Sequence, residues 1–282
     1  MKLAFSTNAF TAYSIVEAII KIGDIGYQGV EILADRPHLY PFDVRCELID
    51  GIRESLDLTN LVVSNINANT ASGYFKQSLM EPVFEPSLSN KDRGLREWRI
   101  KYTKQCIDLA SDLGAKNISI TSGRPLPGCP PEIGIENFKK SIEEIIAYGE
   151  RKGISLGIEY EPGLLIESAE EILELMKEVD SDNLGVNLDV GHVVVAGEDP
   201  TEVIHLLSPW LFNIHIEDIK GRKHYHLIPG YGNIDLNKVY LALKDVGYER
   251  FVTVELYTYC NSPERAAKEA FQYLKGLENL QK

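Results

Sequence analysis

At 282 residues, with 44% hydrophobic and 25% charged residues, the chain has the length and composition of one α/β barrel and can bury a large core. Its 29 Lys and Arg against 42 Asp and Glu give a formal charge of -13, which repels a phosphate backbone and argues against nucleic acid as a partner. Cys46, Cys106, Cys129 and Cys260 have no C-x-x-C spacing, MKLAFSTNAF turns polar at Ser6, and no run approaches the roughly 18 apolar residues of a membrane span, so the expectation is a soluble cytoplasmic protein with free thiols and no membrane attachment.

Strand and helix signals alternate along the chain, the mark of βα units and a parallel sheet. LAFSTN is the first strand, SIVEAIIKIGDIG a helix ending at Gly26, GVEILA the second strand, CELIDGIRESLDL the second helix and LVVSNINAN the third strand. Residues 70–92 have no clear periodicity and read as a long loop leaving the mouth of a barrel, with Tyr74, Phe75 and Phe84 either closing over a ligand or making a dimer contact. A helix over about 93–113, the strand NISIT, the loop SGRPLPGCPPE and a helix over about 135–152 follow. Then come strand ISLGIEY, a helix across SAEEILELMKEV with Ser168 and Glu171 as a capping box, strands LGVNLD and LFNIHIE, helix LNKVYLALKDV, strand FVTVEL and a terminal helix from about Pro263. That makes eight strands and about eight helices, and with no low-complexity linker the expectation is a single TIM-barrel domain over residues 1–282.

Four ionisable residues recur near the ends of strand segments: Glu159, Asp189, His215 and Glu255, spaced 30, 26 and 40 residues apart. One strand with its helix occupies roughly 30 residues of such a barrel, so this spacing carries all four to one mouth. Side chains two apart on a strand share a face. Glu159 therefore aligns with Gly157 and Ser155, Asp189 with Asn187 and Gly185, His215 with Asn213, and Glu255 with Thr253, whereas Leu156, Ile158, Val186, Leu188, Ile214, Ile216, Val252 and Val254 face the helices. The small polar face points inward, leaving room for a ligand. Three carboxylates and an imidazole, without thiolates, suit one divalent cation, with Mn²⁺ preferred and Mg²⁺, Co²⁺ or Zn²⁺ also compatible.

Five of the six histidines fall between His192 and His226. His205 reads as structural and His38 as an isolated loop residue. Gly191 in D-V-G-H allows a sharp turn that aims both Asp189 and His192 at the mouth. Glu161 rivals Glu159 but precedes Pro162, which ends the strand. Glu217 has the inward parity and Asp218 is placed to orient an imidazole. Glu31 and Asn67 stand at the mouth as hydrogen-bonding scaffold, with Asn67 also taken as a substrate contact. Arg222, His224 and His226 form a cationic loop next to His215, and Arg124 and Lys76 are the groups available to a phosphate.

The series GIEYEPG, NLDVGH, HIEDIKG, H-L-x-P-G-x-G-x-I-D and TVELY resembles the xylose isomerase-like TIM barrels, the group of sugar isomerases, sugar 3-epimerases, inosose dehydratases and endonuclease IV-type enzymes. The resemblance implies that Glu159, Asp189, His215 and Glu255 are metal ligands, that His192 contacts substrate or metal, and that Arg222 or His226 binds substrate oxygens or a second ion. It also implies a sugar or sugar phosphate as substrate and leaves self-association open. The nuclease members carry two further histidines on earlier strands. Here those strands read SNINAN and ISITSG, with no histidine between His38 and His192, so a full trinuclear zinc cluster is excluded.

The expected activity is therefore a metal-dependent sugar isomerase or epimerase. A divalent ion polarises a ketose carbonyl and its neighbouring hydroxyl, stabilising an enediolate, while Glu159 and Glu255 carry the proton as the catalytic pair. An inosose dehydratase-like lyase is the alternative. A phosphodiesterase and a non-catalytic sugar binder are weaker ones.

Overall fold

A computed structural model describes residues 1–75 and 83–280. Eight parallel strands close into a barrel in strict sequence order. They are β1 (Lys2–Ser6), β2 (Gly29–Leu33), β3 (Val62–Asn67), β4 (Asn117–Thr121), β5 (Ser155–Glu159), β6 (Leu184–Asp189), β7 (Leu211–Ile216) and β8 (Phe251–Val254), with β8 pairing back onto β1. Among the described residues the helices are α1 (Ile15–Ile25), α2 (Cys46–Thr59), α3 (Arg93–Asp112), α4 (Pro131–Lys152), α5 (Ala169–Val179), α6 (Val190–Ala196), α7 (Pro200–Leu207), α8 (Leu236–Asp245) and α9 (Pro263–Leu280). The expected (β/α)8 TIM barrel is the observed fold, and no described helix is long and apolar enough to cross a membrane.

The core lies between barrel and helices. Leu156, Ile158, Val186, Leu188, Ile214, Ile216, Val252 and Val254 are all buried there, as their parity requires. Two helix starts show how local chemistry sets the boundaries. Ser14 and Glu17 form a complete capping box at α1, which stops at Gly26 with φ 109°. At α5, Ser168 Oγ accepts from Glu171 N at 3.3 Å, but the Glu171 carboxylate accepts from Glu167 N instead of closing the box on Ser168. Between β6 and β7 the chain makes two short helices: Asp189 caps α6, and Asp199 caps α7, which carries the exposed His205.

The barrel interior departs from the apolar layers usual in this fold. Asn117 donates to Asn65 Oδ1 (2.7 Å), Asn65 to Glu31 Oε2 (2.8 Å) and Ser119 Oγ (3.0 Å), Asn213 to Asn187 Oδ1 (2.8 Å), and Thr253 to Asn213 Oδ1 (3.2 Å). The space that the small polar residues were expected to leave for a ligand is thus filled by their own hydrogen bonds, and the site lies above them. At Gly185 in β6 an added Cβ would lie 2.5 Å from the Trp210 carbonyl and 2.7 Å from the Phe212 ring. Because a backbone carbonyl cannot step aside, Gly185→Ala is expected to cost about 1–3 kcal/mol, read as a lower denaturation midpoint with an unchanged slope.

Candidate active site

Glu159 at the end of β5, Asp189 at the end of β6, His215 in β7 and Glu255 just past β8 are buried at the carboxyl end of the barrel. One ligand atom from each lies within 4.8 Å of the other three. His215 is the centre: its Nε2 lies 2.7 Å from Glu31 Oε2, while Nδ1 faces Glu159 Oε2 (3.2 Å), Glu255 Oε2 (3.7 Å) and Asp189 Oδ2 (4.0 Å). Glu31 therefore orients the ring, and Nδ1 is the atom turned to the carboxylates.

Asparagines set the glutamates. Asn69 Nδ2 donates to Glu159 Oε2 at 2.9 Å, and Asn187 Nδ2 donates to the same oxygen. Asn8 Nδ2 (2.9 Å) and Asn67 Nδ2 (3.1 Å) both donate to Glu255 Oε1. Asp189 divides its two oxygens: Oδ1 accepts from His192 N at 2.7 Å as the α6 cap, and Oδ2 is buried with no hydrogen-bond partner. Both carboxylate oxygens of Glu217 are likewise buried away from any N–H or hydroxyl donor, and the Glu217 carboxyl lies against Asp189.

Five enclosed carboxylates thus face few positive groups, and their proton affinities register the imbalance. Burial drives the Glu255 carboxyl well above the usual range, against the pull of His215 and with help from Glu159, Glu31 and Asp189. Burial and the adjacent Asp189 raise Glu217 in the same way. Burial opposes charge on His215, yet Glu31, Glu159 and Glu255 together hold its imidazole well above its ordinary value. Asp189 is depressed despite burial, by His192, His226 and His215. The geometry and the partnerless oxygens fit a divalent cation, whose hard oxygen-rich donor set this cluster provides.

A second wall carries His192 on α6 and His224 and His226 on the loop after β7. Their rings meet with His192 Nε2 3.1 Å from His224 Nε2 and His224 Nε2 3.3 Å from His226 Nε2. His192 is raised to about 9, because Asp189, Glu161 and Glu159 outweigh burial; His226 is lowered to about 4 by burial. Glu161 is raised to about 7 by burial, opposed by His192, and lies 3.9 Å from His224 Nδ1.

Several side chains are placed differently from the sequence expectation. Asn67 is placed as scaffold: its amide nitrogen donates to Glu31 and Glu255, and its oxygen accepts from Asn69 N at 3.2 Å. Arg222 has its guanidinium on the Val195 carbonyl at 3.1 and 2.9 Å, at the end of α6. Gly191 does not supply a left-handed turn. It lies in the first turn of α6, where a Cβ would come 2.0 Å from Glu217 Oε1. Asp218 orients no imidazole; it accepts from Gly230, Gly232 and Ile234 backbone N–H groups and so shapes the loop. Arg124 is exposed over the Phe84 ring, Tyr74 packs on Trp98, and Lys76 lies outside the described residues. Asn8 and Asn69 were missed, although each continues the inward parity two residues beyond a strand end, at Ser6 and Asn67.

A closed eight-stranded parallel barrel with buried carboxylates and imidazoles gathered at the carboxyl ends of its strands is the architecture of a barrel enzyme. The chain belongs to the xylose isomerase-like TIM barrel family, which it matches over residues 19–277. It is 26% identical to the fructoselysine 3-epimerase of Shigella flexneri over 98% of both chains, and 24% identical to an inosose dehydratase of Clostridium perfringens over 94% of this chain and 90% of that one. Its fold superposes on a D-tagatose 3-epimerase-like protein with a TM-score of 0.83 at 22% identity, covering 99% of this chain and 98% of the other.

Proposed function

We propose that the protein is a divalent-metal-dependent epimerase or isomerase of a sugar or sugar derivative, working by proton transfer between Glu159 and Glu255. The observation that carries this reading is the pair itself. Two buried glutamates from separate strands flank His215 Nδ1, at 3.2 and 3.7 Å, each with one oxygen pinned by two asparagine amides. The pinned oxygens hold the two carboxyl groups in fixed orientations, so that a substrate carbon above the cluster meets a proton acceptor on one side and a proton donor on the other.

Glu159, Asp189, His215 and Glu255 would hold the cation, which supplies positive charge beside the substrate carbonyl and so acidifies the adjacent C–H. One glutamate takes that proton and the other returns a proton to the opposite face, which inverts the carbon.

The identity to an inosose dehydratase supports a second reading, elimination of water after the same proton abstraction. Incubation of the protein with free and phosphorylated ketoses, fructosamine-type derivatives and inososes in D₂O with Mn²⁺ is expected to place deuterium at one carbon of a ketose-type substrate with conversion to its epimer. Deuterium in none of them, or loss of water from an inosose alone, would overturn the epimerase reading.

A further inference from the structure

We infer that Arg99 on α3 is a positioning residue of the active site: its buried guanidinium holds the backbone just past β3 and so keeps the Asn69 amide on the Glu159 carboxylate. The inference rests on the reading of Glu159 as a proton carrier.

Arg99 is 1% exposed, and its Nη2 donates to the carbonyls of Ala68 and Asn69 at 2.5 and 2.9 Å. Its Nη1 reaches the Pro86 carbonyl at 3.4 Å, in the segment leading into α3. One turn further along α3, Tyr102 sets its ring 5.0 Å from the guanidinium carbon and donates its hydroxyl to the Thr70 carbonyl at 3.2 Å. The helix thereby grips the carbonyls of residues 68, 69 and 70, where the chain leaves the sheet. Pairing between β3 and β4 ends at Asn67 and Ser119, with Ala68 N still donating to Ser119 O at 3.0 Å, so these carbonyls need partners from outside the strand. Thr121 Oγ1 adds one contact to Asn69 O at 3.3 Å.

The Asn69 side chain carries that grip to the chemistry. Its Nδ2 donates to Glu159 Oε2 at 2.9 Å, whereas its Oδ1 is buried and meets no donor among the described residues. With no donor at the oxygen end to steer it, the amide takes its direction from the backbone at residue 69. An arginine is a costly way to fill this space. Its hydrogen bonds go to backbone carbonyls and its Nε is buried with no partner among the described residues, a desolvation cost that an apolar side chain of similar volume avoids. What the guanidinium supplies in return is a planar fork that spans two adjacent carbonyls and a third from another segment, which neither Met nor Lys reproduces.

Turnover and deuterium incorporation are measured for Arg99→Met, Arg99→Lys, Asn69→Ala and the two double variants, on the ketose-type substrate that wild type labels in D₂O with Mn²⁺. Arg99→Met is expected to lower kcat about 10-fold and to change KM by less than about 3-fold, because Glu159 is misaligned while the change itself is remote from the substrate. Each double variant is expected to fall within about 2-fold of Asn69→Ala alone, since without the amide Arg99 has nothing left to aim. Arg99→Lys keeps one donor for the carbonyls and is expected to recover part of the loss; it also carries the comparison should Arg99→Met fail to fold. Free Mn²⁺ measured by electron paramagnetic resonance on the same samples reports on Glu159 without turnover. The affinity is expected to fall about 10-fold in both Arg99→Met and Asn69→Ala, and no further when they are combined. Arginine in a purely structural role would lower Tm and leave kcat and Mn²⁺ affinity per folded molecule unchanged, or would multiply its loss with that of Asn69→Ala; either result overturns the inference. An inactive Glu159→Gln beside wild-type kcat in Arg99→Met removes the role of Arg99 alone, whereas full exchange by Glu159→Gln removes the proton-carrier reading.

Discussion

Glu159→Gln and Glu255→Gln are each expected to lower kcat by about 10²–10⁴-fold and to abolish deuterium incorporation from solvent, the range attributed to a lost general acid or base. Glutamine keeps the shape of the side chain but can neither take nor deliver the proton. The asparagine network makes this a clean test of the chemistry. Asn69 and Asn187 hold Glu159, and Asn8 and Asn67 hold Glu255, through contacts to one oxygen each, so the amide oxygen of a glutamine can occupy the same cradle. Because both residues also face the cation, bound metal is measured on the same samples. Full exchange by both variants, with the fold intact by circular dichroism, would remove them as proton carriers.

Removal of metal is expected to lower the melting temperature by about 10 °C relative to protein saturated with Mn²⁺. An ion present at about 1,000 times its Kd stabilises by about 4 kcal/mol, and each kcal/mol moves Tm by about 2–4 °C for a chain approaching this size. The structural reason is the excess of enclosed carboxylates, three of whose oxygens, Asp189 Oδ2 and both of Glu217, meet no N–H or hydroxyl donor. Asp189→Asn separates the site from the scaffold. An asparagine Oδ1 can still cap α6 through His192 N, whereas the negative oxygen turned toward His215 is gone. The variant is therefore expected to fold but to lose most of the metal-dependent shift. A scan in which Mn²⁺ leaves wild-type Tm unchanged, or in which Asp189→Asn shifts as wild type does, would sink the cation assignment.

Much of the architecture was legible because side chains alternate along most of the paired strands, with register shifts confined to β2–β3 and β6–β7. Once Leu156, Ile158, Val186 and Leu188 are assigned to the helix layer, Glu159 and Asp189 must face inward, and the repeat length of βα units brings them to one end. The same periodicity, carried two residues past the strands, would have reached Asn8 and Asn69. Residue 67 shows where such reading stops. Its inward parity is plain from the chain, but that its amide is consumed by Glu31 and Glu255 depends on strands distant in sequence.

Arg222 makes the same point for loops. It stands seven residues after His215, and nearness in sequence to a ligand does not say which way a loop side chain turns; the carbonyl of Val195 at the end of a short helix decided it. By itself, the order of residues determined the barrel, the apolar and polar faces of its strands and the end at which the acidic and imidazole groups gather, because those follow from local periodicity. Only the tertiary structure decided which asparagine holds which glutamate, which oxygen of Asp189 is left without a partner, and that three histidine nitrogens meet at about 3 Å. Hydrogen bonds and charge pairs are settled by distances of a few tenths of an ångström between groups that the chain brings together only on closing.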